Sequence, residues 1–121
     1  MNLIEKYEKL PIIKLDREMI KQVLINLMFN SIQAMHKGGD MEIGTKMENN
    51  NILIYIKDTG TGIDDEIKNR IFEPFYTTKS DGSGIGLTLA KSIIEAHNGN
   101  INFESEKNKG SVFFISLPME P

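Results

Sequence analysis

Two asparagines, Asn26 and Asn30, are the first side chains in the sequence whose type and spacing suggest chemistry. Residues four apart on an α-helix lie on one face, and the surrounding apolar pattern is helical. Asparagine is a middling helix former because its side chain competes for backbone hydrogen bonds. Two of them at the edge of an apolar face therefore suggest a site, although such a pair taken alone is more often a solvated surface.

A carboxylate followed by glycines, Asp58-Thr59-Gly60-Thr61-Gly62, comes directly after a predicted strand. An unpaired carboxylate at the end of a buried strand is costly to desolvate, and the exocyclic amine of a purine is one partner that would satisfy it. The glycines would let the backbone approach a flat ring without a side-chain clash. An ordinary Asp/Gly turn is the alternative, and this segment alone favours it.

A second glycine-rich segment, Gly82-Ser83-Gly84-Ile85-Gly86-Leu87, comes just before a predicted helix. Its backbone amides and the positive end of that helix are suited to holding phosphates. The spacing fits neither a dinucleotide fingerprint nor a Walker sequence. A mobile linker explains this loop equally well when it is taken alone.

The segment between the two glycine-rich stretches, 70–79, places two phenylalanines and a tyrosine around a proline. An anchored aromatic end joined to a glycine-rich end is how a hinged lid would be built. The alternative is a small satellite core under a loop. Arg70 and Lys79 are placed to reach phosphates, although each could equally be a surface charge.

The elements that must position these residues alternate between hairpins and helices. Asp16 is a predicted N-cap, and the predicted helices cover residues 17–35, 64–71 and 85–97. The predicted strands cover 41–47, 52–57, 101–104 and 111–117, with low definition over 3–14. Strands in hairpins with helices between them predict an α+β fold, in which helices cover one face of one sheet.

The first helix has a wide apolar arc and a narrow polar stripe beside it when it is drawn at about 100° per residue. The arc holds Ile20, Val23, Leu24, Leu27, Met28, Ile32, Ala34 and Met35. The stripe holds Gln22, Asn26, Asn30, Gln33 and Lys37. The helix is therefore expected to bury one side and to present the asparagines at its edge.

Composition excludes several classes of protein. The chain has 121 residues, 40% hydrophobic and 26% charged, with a net charge of −3, so nucleic acid and anionic membrane surfaces are poor candidate partners. The absence of cysteine excludes disulfides and thiolate metal sites and fits a reducing cytosol. There is no apolar stretch of membrane-spanning length and no signal peptide at the start. We expect a cytoplasmic domain without direct membrane contact, whose parent protein may still be membrane-anchored.

Taken together and in order, these segments resemble the catalytic domain of sensor histidine kinases. That family is one branch of the GHKL, or Bergerat-fold, superfamily, which also holds gyrase, HSP90 and MutL. The resemblance covers Asp16 to Leu117, and residues 33–35 and 76–79 look closest to the nitrogen-regulator-like branch. The stretches that carry it are Gln22–Ser31 (N box), Asp58–Gly62 (G1 box), Phe72–Phe75 (F box), Gly82–Leu87 (G2 box) and Gly110–Phe113 (last glycine motif).

The resemblance implies a two-layer α/β sandwich with a mixed, mostly antiparallel sheet and a mobile ATP lid. Residues 16–121 would be the ATP-binding catalytic domain. Residues 1–15 would be an N-terminal strand or linker from a dimerisation and phosphoacceptor domain that is missing here. The cofactors it implies are ATP and Mg²⁺.

The resemblance also implies roles for individual residues. Asn30 matches the magnesium ligand, an oxygen donor for a hard cation, and Asn26 matches the asparagine near the phosphates. Asp58 matches the carboxylate that binds adenine. Arg70 matches an arginine that reaches the γ-phosphate, and Lys79 would be a phosphate contact from the lid. The other implied nucleotide contacts are Gly60, Gly62, Ile63, Gly82, Gly84, Ile85, Gly86, Leu87 and Ser111.

Two positions depart from the family pattern. Ser31 stands where alanine is usual, inside the apolar arc, and we expect it to be tolerated. Gln33 stands where many members carry a basic residue, which argues against a charge contact from that turn.

Asn26 separates the branches of the superfamily. Gyrase and HSP90 resemble this pattern but carry a glutamate at that position, which acts as a base. Asparagine cannot take a proton, whereas a neutral imidazole is already nucleophilic near pH 7. The resemblance therefore favours transfer of phosphate to histidine over hydrolysis, with catalysis by positioning and charge neutralisation.

The acceptor histidine itself has no match in the chain. The only histidines, His36 and His97, lie at predicted helix ends and are interpreted as structural or exposed. The implied partners are the phosphoacceptor domain of the same kinase and a response regulator receiver domain, with a monomeric isolated domain. The alternatives are a stand-alone GHKL ATPase and a non-catalytic module that binds a partner and uses nucleotide only as a switch.

Overall fold

The structure is a computed structural model that describes residues 2–8, 15–73 and 85–119. Its elements are β1 (Asn2–Tyr7), α1 (Arg17–Ala34), β2 (Asp40–Glu48), β3 (Asn51–Asp58), a 3₁₀ turn (Lys68–Arg70), α2 (Ile85–Ala96), β4 (Asn100–Glu106) and β5 (Gly110–Pro118).

Two hairpins with asparagine in their turns organise the sheet. Asn49 and Asn50 have φ of 53° and 65°, and Asn108 has φ of 67°, a region in which asparagine is enriched among non-glycine residues. Positive φ at both central residues matches the strand twist of a tight hairpin. The strand order is β1-β2-β3-β5-β4, and only the β1–β2 pair is parallel. The predicted mixed, mostly antiparallel sheet is confirmed.

The core lies between one face of the sheet and the two helices. Period-two alternation turns one set of side chains of each strand towards the helices, and both helices contribute buried residues to the same cluster. That cluster contains Ile20, Val23, Leu27, Met35, Met41, Ile56, Ile71, Ala90, Ile93, Ile94, Ile101, Phe113, Ile115 and Leu117. The predicted α+β fold with helices on one face is confirmed.

The two helices are also joined by hydrogen bonds at their ends. The predicted N-cap is confirmed, because an Asp16 carboxylate oxygen accepts from Met19 N at 3.1 Å. Asp16 N in turn donates to His97 Nε2 at 3.1 Å, while His97 Nδ1 lies 2.8 Å from the carbonyl oxygen of Ile93. His97 therefore acts as a link between the end of α2 and the start of α1, which is a structural role.

The buried face of α1 is narrower than the apolar arc of the helical wheel. Ser31 is only 2% exposed, so it does lie inside the buried face, but Ile32 is 45% exposed. One residue along a helix turns the side chain by about 100°, which carries Ile32 out of the face that contains Ser31. The assignment of Ile32 to the buried arc is wrong.

The predicted helix over 64–71 is also wrong. The segment instead forms successive three-residue turns, with Ile67 N bonded to Asp64 O and Arg70 N to Ile67 O, and ends in the 3₁₀ turn. Lys68 Nζ donates to the Ser105 carbonyl at 2.6 Å, which holds the segment against β4. So short a segment gains little from helix propagation, and tertiary contacts therefore determine its path.

On the other face of the sheet, Tyr55 is 9% exposed although neither α1 nor α2, the two α-helices of the described residues, lies on that face. Its ring lies over Gly44, where any Cβ would collide with the ring. The Tyr55 hydroxyl donates to Glu42 Oε2 at 2.7 Å, and Lys6 Nζ lies 3.3 Å from Glu42 Oε1. The parallel edge strand β1 is therefore tied to the sheet by side chains as well as backbone.

Residues 2–7 thus supply an edge strand of the same sheet, while the boundary proposed at residue 15 stays a prediction. None of the helices in the described ranges has both the length and the apolar character needed to cross a membrane.

Candidate nucleotide-binding site

The polar stripe of α1 forms one side of the candidate site. Asn26 and Asn30 are half-buried, and Gln22 Nε2 donates to Asn26 Oδ1 at 3.1 Å. Gln33 Oε1 is buried and has no hydrogen-bond partner among the described residues. A buried acceptor left unsatisfied costs about 1–3 kcal/mol, so this oxygen is suited to a donor from a ligand or a water.

Asp58 forms the other side. It is the last residue of β3 and only 4% exposed, and one carboxylate oxygen accepts from Gly60 N at 2.9 Å. This bond fixes the carboxylate in an Asx turn and leaves the second oxygen as an acceptor. Asp58 pairs with Ser111 of β5 in the sheet register, which brings together the two residues that the resemblance assigns to the adenine side.

The loop after Asp58 connects the two sides. Thr61 N donates to the carbonyl oxygen of Ala34 at 3.1 Å, and a Cβ on Gly60 would lie 2.6 Å from the same oxygen. Ala34 is one helical turn beyond Asn30 on α1. The loop that carries Asp58 therefore packs on the turn of α1 that follows the asparagines.

The structure explains why glycine is needed at positions 60 and 62, and the explanation differs from the one suggested by the sequence. Gly62 has φ of +72°, and a Cβ there would collide with the backbone of Glu106. Both glycines are thus required where the loop packs against the protein's own backbone, since a Cβ would not fit. Their predicted role in approaching a flat ring stays a prediction.

Ser105 was missed by the sequence analysis. Its hydroxyl oxygen accepts from Ile63 N at 2.7 Å and lies 2.8 Å from Ser111 Oγ and 3.2 Å from the Gly110 carbonyl oxygen. The predicted strand ended at Glu104, two residues before the observed end of β4 at Glu106. Extending the hairpin register by one pair would have placed Ser105 opposite Ser111.

An aromatic cluster supports the far end of the site. The ring centroids of Phe103 and Phe113 are 5.5 Å apart and stacked, and Phe72 meets them edge-on at 5.9 and 6.4 Å. Thr88 Oγ1 on α2 lies 3.0 Å from the carbonyl oxygens of both Phe72 and Glu73. The start of the predicted lid is thus anchored on β4, β5 and α2, although the rest of that segment, 74–84, lies outside the described residues.

The other predicted site residues are distributed as follows. Arg70 lies on the 3₁₀ turn with its Nε 3.5 Å from Glu73 Oε2. Ile63 and Leu87 pack against the core, and Ile85 and Gly86 begin α2. Lys79, Gly82 and Gly84 lie outside the described residues, so their assignments stay predictions.

A depression of about 300 Å³ is lined in part by Asp58, Ser105 and Ser111. It lies at the β4–β5 turn and is not lined by either asparagine. The depression is not the whole predicted nucleotide site, because the predicted lid would form another wall of that site.

The donor set fits a magnesium ion that is held mainly by its nucleotide. No group of three His, Cys, Asp or Glu side chains is placed to bind a metal within 2–8, 15–73 and 85–119. Mg²⁺ retains several waters and is usually held by one or two protein oxygens together with substrate phosphates. The Asn30 amide oxygen is chemically suited to be such a ligand.

A two-layer α+β domain with a buried carboxylate ending a central strand and an asparagine-bearing helix beside it is the architecture expected of a GHKL-type ATP-binding domain. Comparison with known proteins agrees. Residues 15–121 match the model of the family described as histidine kinase-, DNA gyrase B-, and HSP90-like ATPase. The chain belongs to this ATPase family.

Within the family, the chain is similar to sensor histidine kinases. It is 40% identical to sporulation kinase E of Bacillus subtilis strain 168 over 96% of this chain. It is 42% identical to the signal transduction histidine-protein kinase AtoS of Escherichia coli K12 over 90% of this chain. The catalytic domain of histidine kinase ThkA superposes with a TM-score of 0.87 at 35% identity, covering 99% of this chain and 80% of that one.

These relatives are much longer than the matched region. The chain spans 16% of sporulation kinase E and 18% of AtoS. What the comparisons establish is limited to this region: it is a catalytic ATPase domain of the histidine kinase type.

Proposed function

We propose that this domain binds Mg-ATP and transfers the γ-phosphate to a histidine on a separate phosphoacceptor domain, as part of two-component signal transduction. The observation that carries the proposal is the placement of Asp58. It is buried, fixed by the Gly60 amide, and its loop packs on α1 one turn beyond Asn30.

On the adenine side, the free carboxylate oxygen of Asp58 would accept a hydrogen bond from the exocyclic amine of the base. A buried carboxylate needs such a donor, because leaving it unpaired is expensive. The neighbouring Ser111 hydroxyl is placed to add a second contact, directly or through a water.

On the phosphate side, Asn30 would hold the magnesium ion and Asn26 would lie near the phosphates. When bound, Mg²⁺ neutralises charge that develops on the phosphoryl oxygens. Arg70 and Lys79 would add cationic contacts, and the backbone of Gly82, Gly84 and Gly86 would cover the phosphates at the start of α2.

The choice of acceptor depends on Asn26. Its amide cannot remove a proton from water or a hydroxyl, so the site lacks a base at that position. A neutral imidazole needs no such base. Histidine is thus the acceptor that this chemistry supports best, and we place it on a partner domain because His97 is engaged in joining the helices.

The expected setting is the cytoplasm, with the phosphoacceptor domain of the same kinase and a response regulator receiver domain as partners. Dimer contacts would belong to the phosphoacceptor domain, so the isolated catalytic domain is expected to be a monomer.

The test is a transfer assay with γ-labelled ATP, this chain and a separately expressed phosphoacceptor domain from a related sensor kinase. We expect label on the acceptor, none on an acceptor whose histidine is replaced by alanine, and only background phosphate release without acceptor. Steady phosphate release from the chain alone would instead indicate a stand-alone ATPase. Binding of ATP without transfer to any acceptor would indicate a nucleotide-switched binding module.

A further inference from the structure

The proposed chemistry gives no part to the side-chain amide of Gln33, a half-buried residue on the polar stripe of α1. Its Oε1 atom is buried and accepts no hydrogen bond from any residue within 2–8, 15–73 and 85–119. An amide oxygen can only accept, and buried polar atoms are nearly always satisfied because leaving one unpaired destabilises the fold. This oxygen therefore calls for a donor from outside the described part of the chain.

Gln33 lies on the same side of α1 as the two asparagines. It follows Asn30 by three residues and Asn26 by seven, and both spacings bring side chains close to one line along a helix. At a rise of about 1.5 Å per residue, Gln33 lies about 4.5 Å beyond Asn30 and about 10 Å beyond Asn26 along the helix axis. Gln33 is thus the stripe residue of α1 that lies farthest from Asn26.

The base end of the candidate site is at the same level of the helix as Gln33. The carbonyl oxygen of Ala34, the next residue, accepts from Thr61 N at 3.1 Å, and a Cβ on Gly60 would collide with Ala34. Gly60 N in turn donates to the Asp58 carboxylate at 2.9 Å. A short chain of contacts therefore joins this turn of α1 to the carboxylate proposed to hold the base.

These positions define the order in which the parts of a bound nucleotide would pass along α1. With the base at Asp58 and the magnesium ion at Asn30, as the proposed function places them, the outer phosphates extend towards Asn26. The part that joins the base to the phosphates is the ribose, which then passes Gln33. Deprotonated phosphate oxygens accept hydrogen bonds and cannot satisfy Gln33 Oε1, whereas a hydroxyl of the ribose can donate to it.

We propose that Gln33 is a specificity-determining residue whose buried Oε1 accepts a hydrogen bond from a hydroxyl of the ribose, so that the site prefers ribonucleotides to deoxyribonucleotides. The inference rests on the proposed function and adds a contact to the sugar. It also accounts for an uncharged residue at this turn. A lysine or arginine side chain has donors only and could not accept from a hydroxyl.

A water bound to the magnesium ion is the other O–H donor that a metal nucleotide offers. Such a water would surround the ion near Asn30 and the phosphates, whereas Gln33 lies on the base side of Asn30. The ribose is therefore the favoured source of the donor. The experiment separates the two sources by omitting the ion.

The experiment is calorimetric titration of ATP, 2′-deoxy-ATP and 3′-deoxy-ATP into the intact chain and Gln33→Met. Methionine has a similar length, but its thioether is only a weak acceptor. We expect the intact chain to bind ATP about 3- to 10-fold more tightly than at least one of the deoxy nucleotides, as for one hydrogen bond. Gln33→Met should bind ATP and that deoxy nucleotide equally.

Gln22→Met is the matched control, because it removes an amide from the other end of the same stripe, where Gln22 Nε2 donates to Asn26 Oδ1. Any loss of affinity that it causes should be equal for the three nucleotides. Equal binding of all three by the intact chain, or a preference that Gln33→Met leaves unchanged, would overturn the inference. So would an equal loss for all three in Gln33→Met that disappears without magnesium, since it would assign the oxygen to a metal-bound water.

The stability of nucleotide-free Gln33→Met provides an independent test. Because Gln33 Oε1 has no partner to lose, an apolar group of similar shape should leave the urea midpoint of unfolding unchanged or raise it. A lower midpoint would contradict the premise that this oxygen is unsatisfied in the free domain. If Gln33→Met does not fold, Gln33→Leu serves as the second variant, with the same expected loss of the preference for ATP.

The inference and the proposed function fail in different ways. Failure of the intact chain to bind any of the three nucleotides would overturn both. Tight binding of ATP with a preference that is insensitive to Gln33 would overturn only the assignment of the ribose contact.

Discussion

At the scale of single residues, Asp58 combines deep burial with an incomplete set of hydrogen bonds. One of its oxygens is used by the Gly60 amide, and its position at the end of β3 places the other at the edge of the core. A carboxylate in this state stabilises the domain only weakly by itself and gains most when a donor binds. A buried carboxylate at this position is better explained by a role in ligand binding than by a role in folding.

Replacing this carboxylate tests the adenine assignment. We expect Asp58→Asn to lose ATP binding by at least about 10-fold, because the amide places an N–H donor where the base also presents a donor. Isothermal titration of ATP into the variant measures the loss. The matched control is Asp64→Asn, which removes the same charge from an exposed side chain paired with Lys107. Near-normal ATP affinity in Asp58→Asn would refute the adenine role.

Asn30 makes a separate prediction about magnesium. In Asn30→Ala the protein loses an oxygen ligand for the ion, so added Mg²⁺ should no longer strengthen the binding of a non-hydrolysable ATP analogue. The measurement is affinity with and without the ion, with Asn102→Ala on the exposed side of β4 as the control. Full retention of the magnesium effect would place the ion elsewhere.

The sequence singles out Asp58 and Asn30 as candidate site residues, but it does not predict the contacts that support them. Asp58 and Asn30 belong to local sequence patterns that can be recognised without knowledge of the fold. Ser105 does not, because its significance comes from a cross-strand neighbour and from Ile63, 42 residues away in the chain. Contacts of this kind depend on strand register, and a predicted strand that ends two residues too early leaves Ser105 out of the pairing.

At the scale of elements, α1 has two apolar positions with opposite roles. Leu27 is 1% exposed and lies in the core, whereas Phe29 is 51% exposed on the same helix. We expect Leu27→Ala to lower the free energy of unfolding by about 2–5 kcal/mol through lost burial and a cavity. Phe29→Ala should change it by no more than about 0.5 kcal/mol.

Urea unfolding followed by circular dichroism measures both variants of α1 under the same conditions. Equal losses for the two would mean that the face of α1 that is buried has been misassigned.

The outer face of the sheet predicts a dependence of stability on pH. The hydrogen bond from Tyr55 and then the nearby Lys6 lower the pKa of Glu42, and the hydrogen bond to Glu42, followed by burial, raises the pKa of Tyr55. A carboxylate with a lowered pKa stabilises the fold above its ordinary pKa and loses that contribution as the pH falls through the lowered value. For Tyr55 the contribution is present below its ordinary pKa and is lost as the pH rises through the raised value.

Tyr55→Phe should therefore reduce stability at neutral pH and flatten both the acid and the alkaline parts of the stability curve. Thermal unfolding between about pH 3 and pH 11 gives the two profiles, a range that spans the ordinary pKa values of the two side chains. Parallel curves for the unchanged chain and Tyr55→Phe would show that this hydrogen bond does not couple to folding.

Elements with strong periodicity and clear end signals were predicted almost to the residue. The predicted start of α1 at Arg17 and the two hairpins are confirmed, because an N-cap and turns that contain asparagine act locally. Residues 64–71 were predicted as a short helix. The structure shows turns there, since bonds from Lys68 and Ile63 to Ser105 fix the segment from outside.

At the scale of the whole molecule, the domain separates two tasks. Sheet, helices and the loop after β3 form the proposed nucleotide site, whereas the proposed acceptor would lie on another domain. The chain spans less than a fifth of the length of sporulation kinase E and of AtoS. Most of the length of those relatives lies outside the matched region, whereas the chemistry proposed for Asp58, Asn30 and Asn26 lies within this domain.

The most direct test of the central claim is calorimetric titration of a non-hydrolysable ATP analogue into the unmodified chain, with and without magnesium. We predict one binding event per chain that strengthens when Mg²⁺ is present, because Asp58 would hold the base and Asn30 would reach the ion beside the phosphates. Absence of binding under both conditions would contradict the proposed site, and the domain would then be better explained as a module that binds a protein partner.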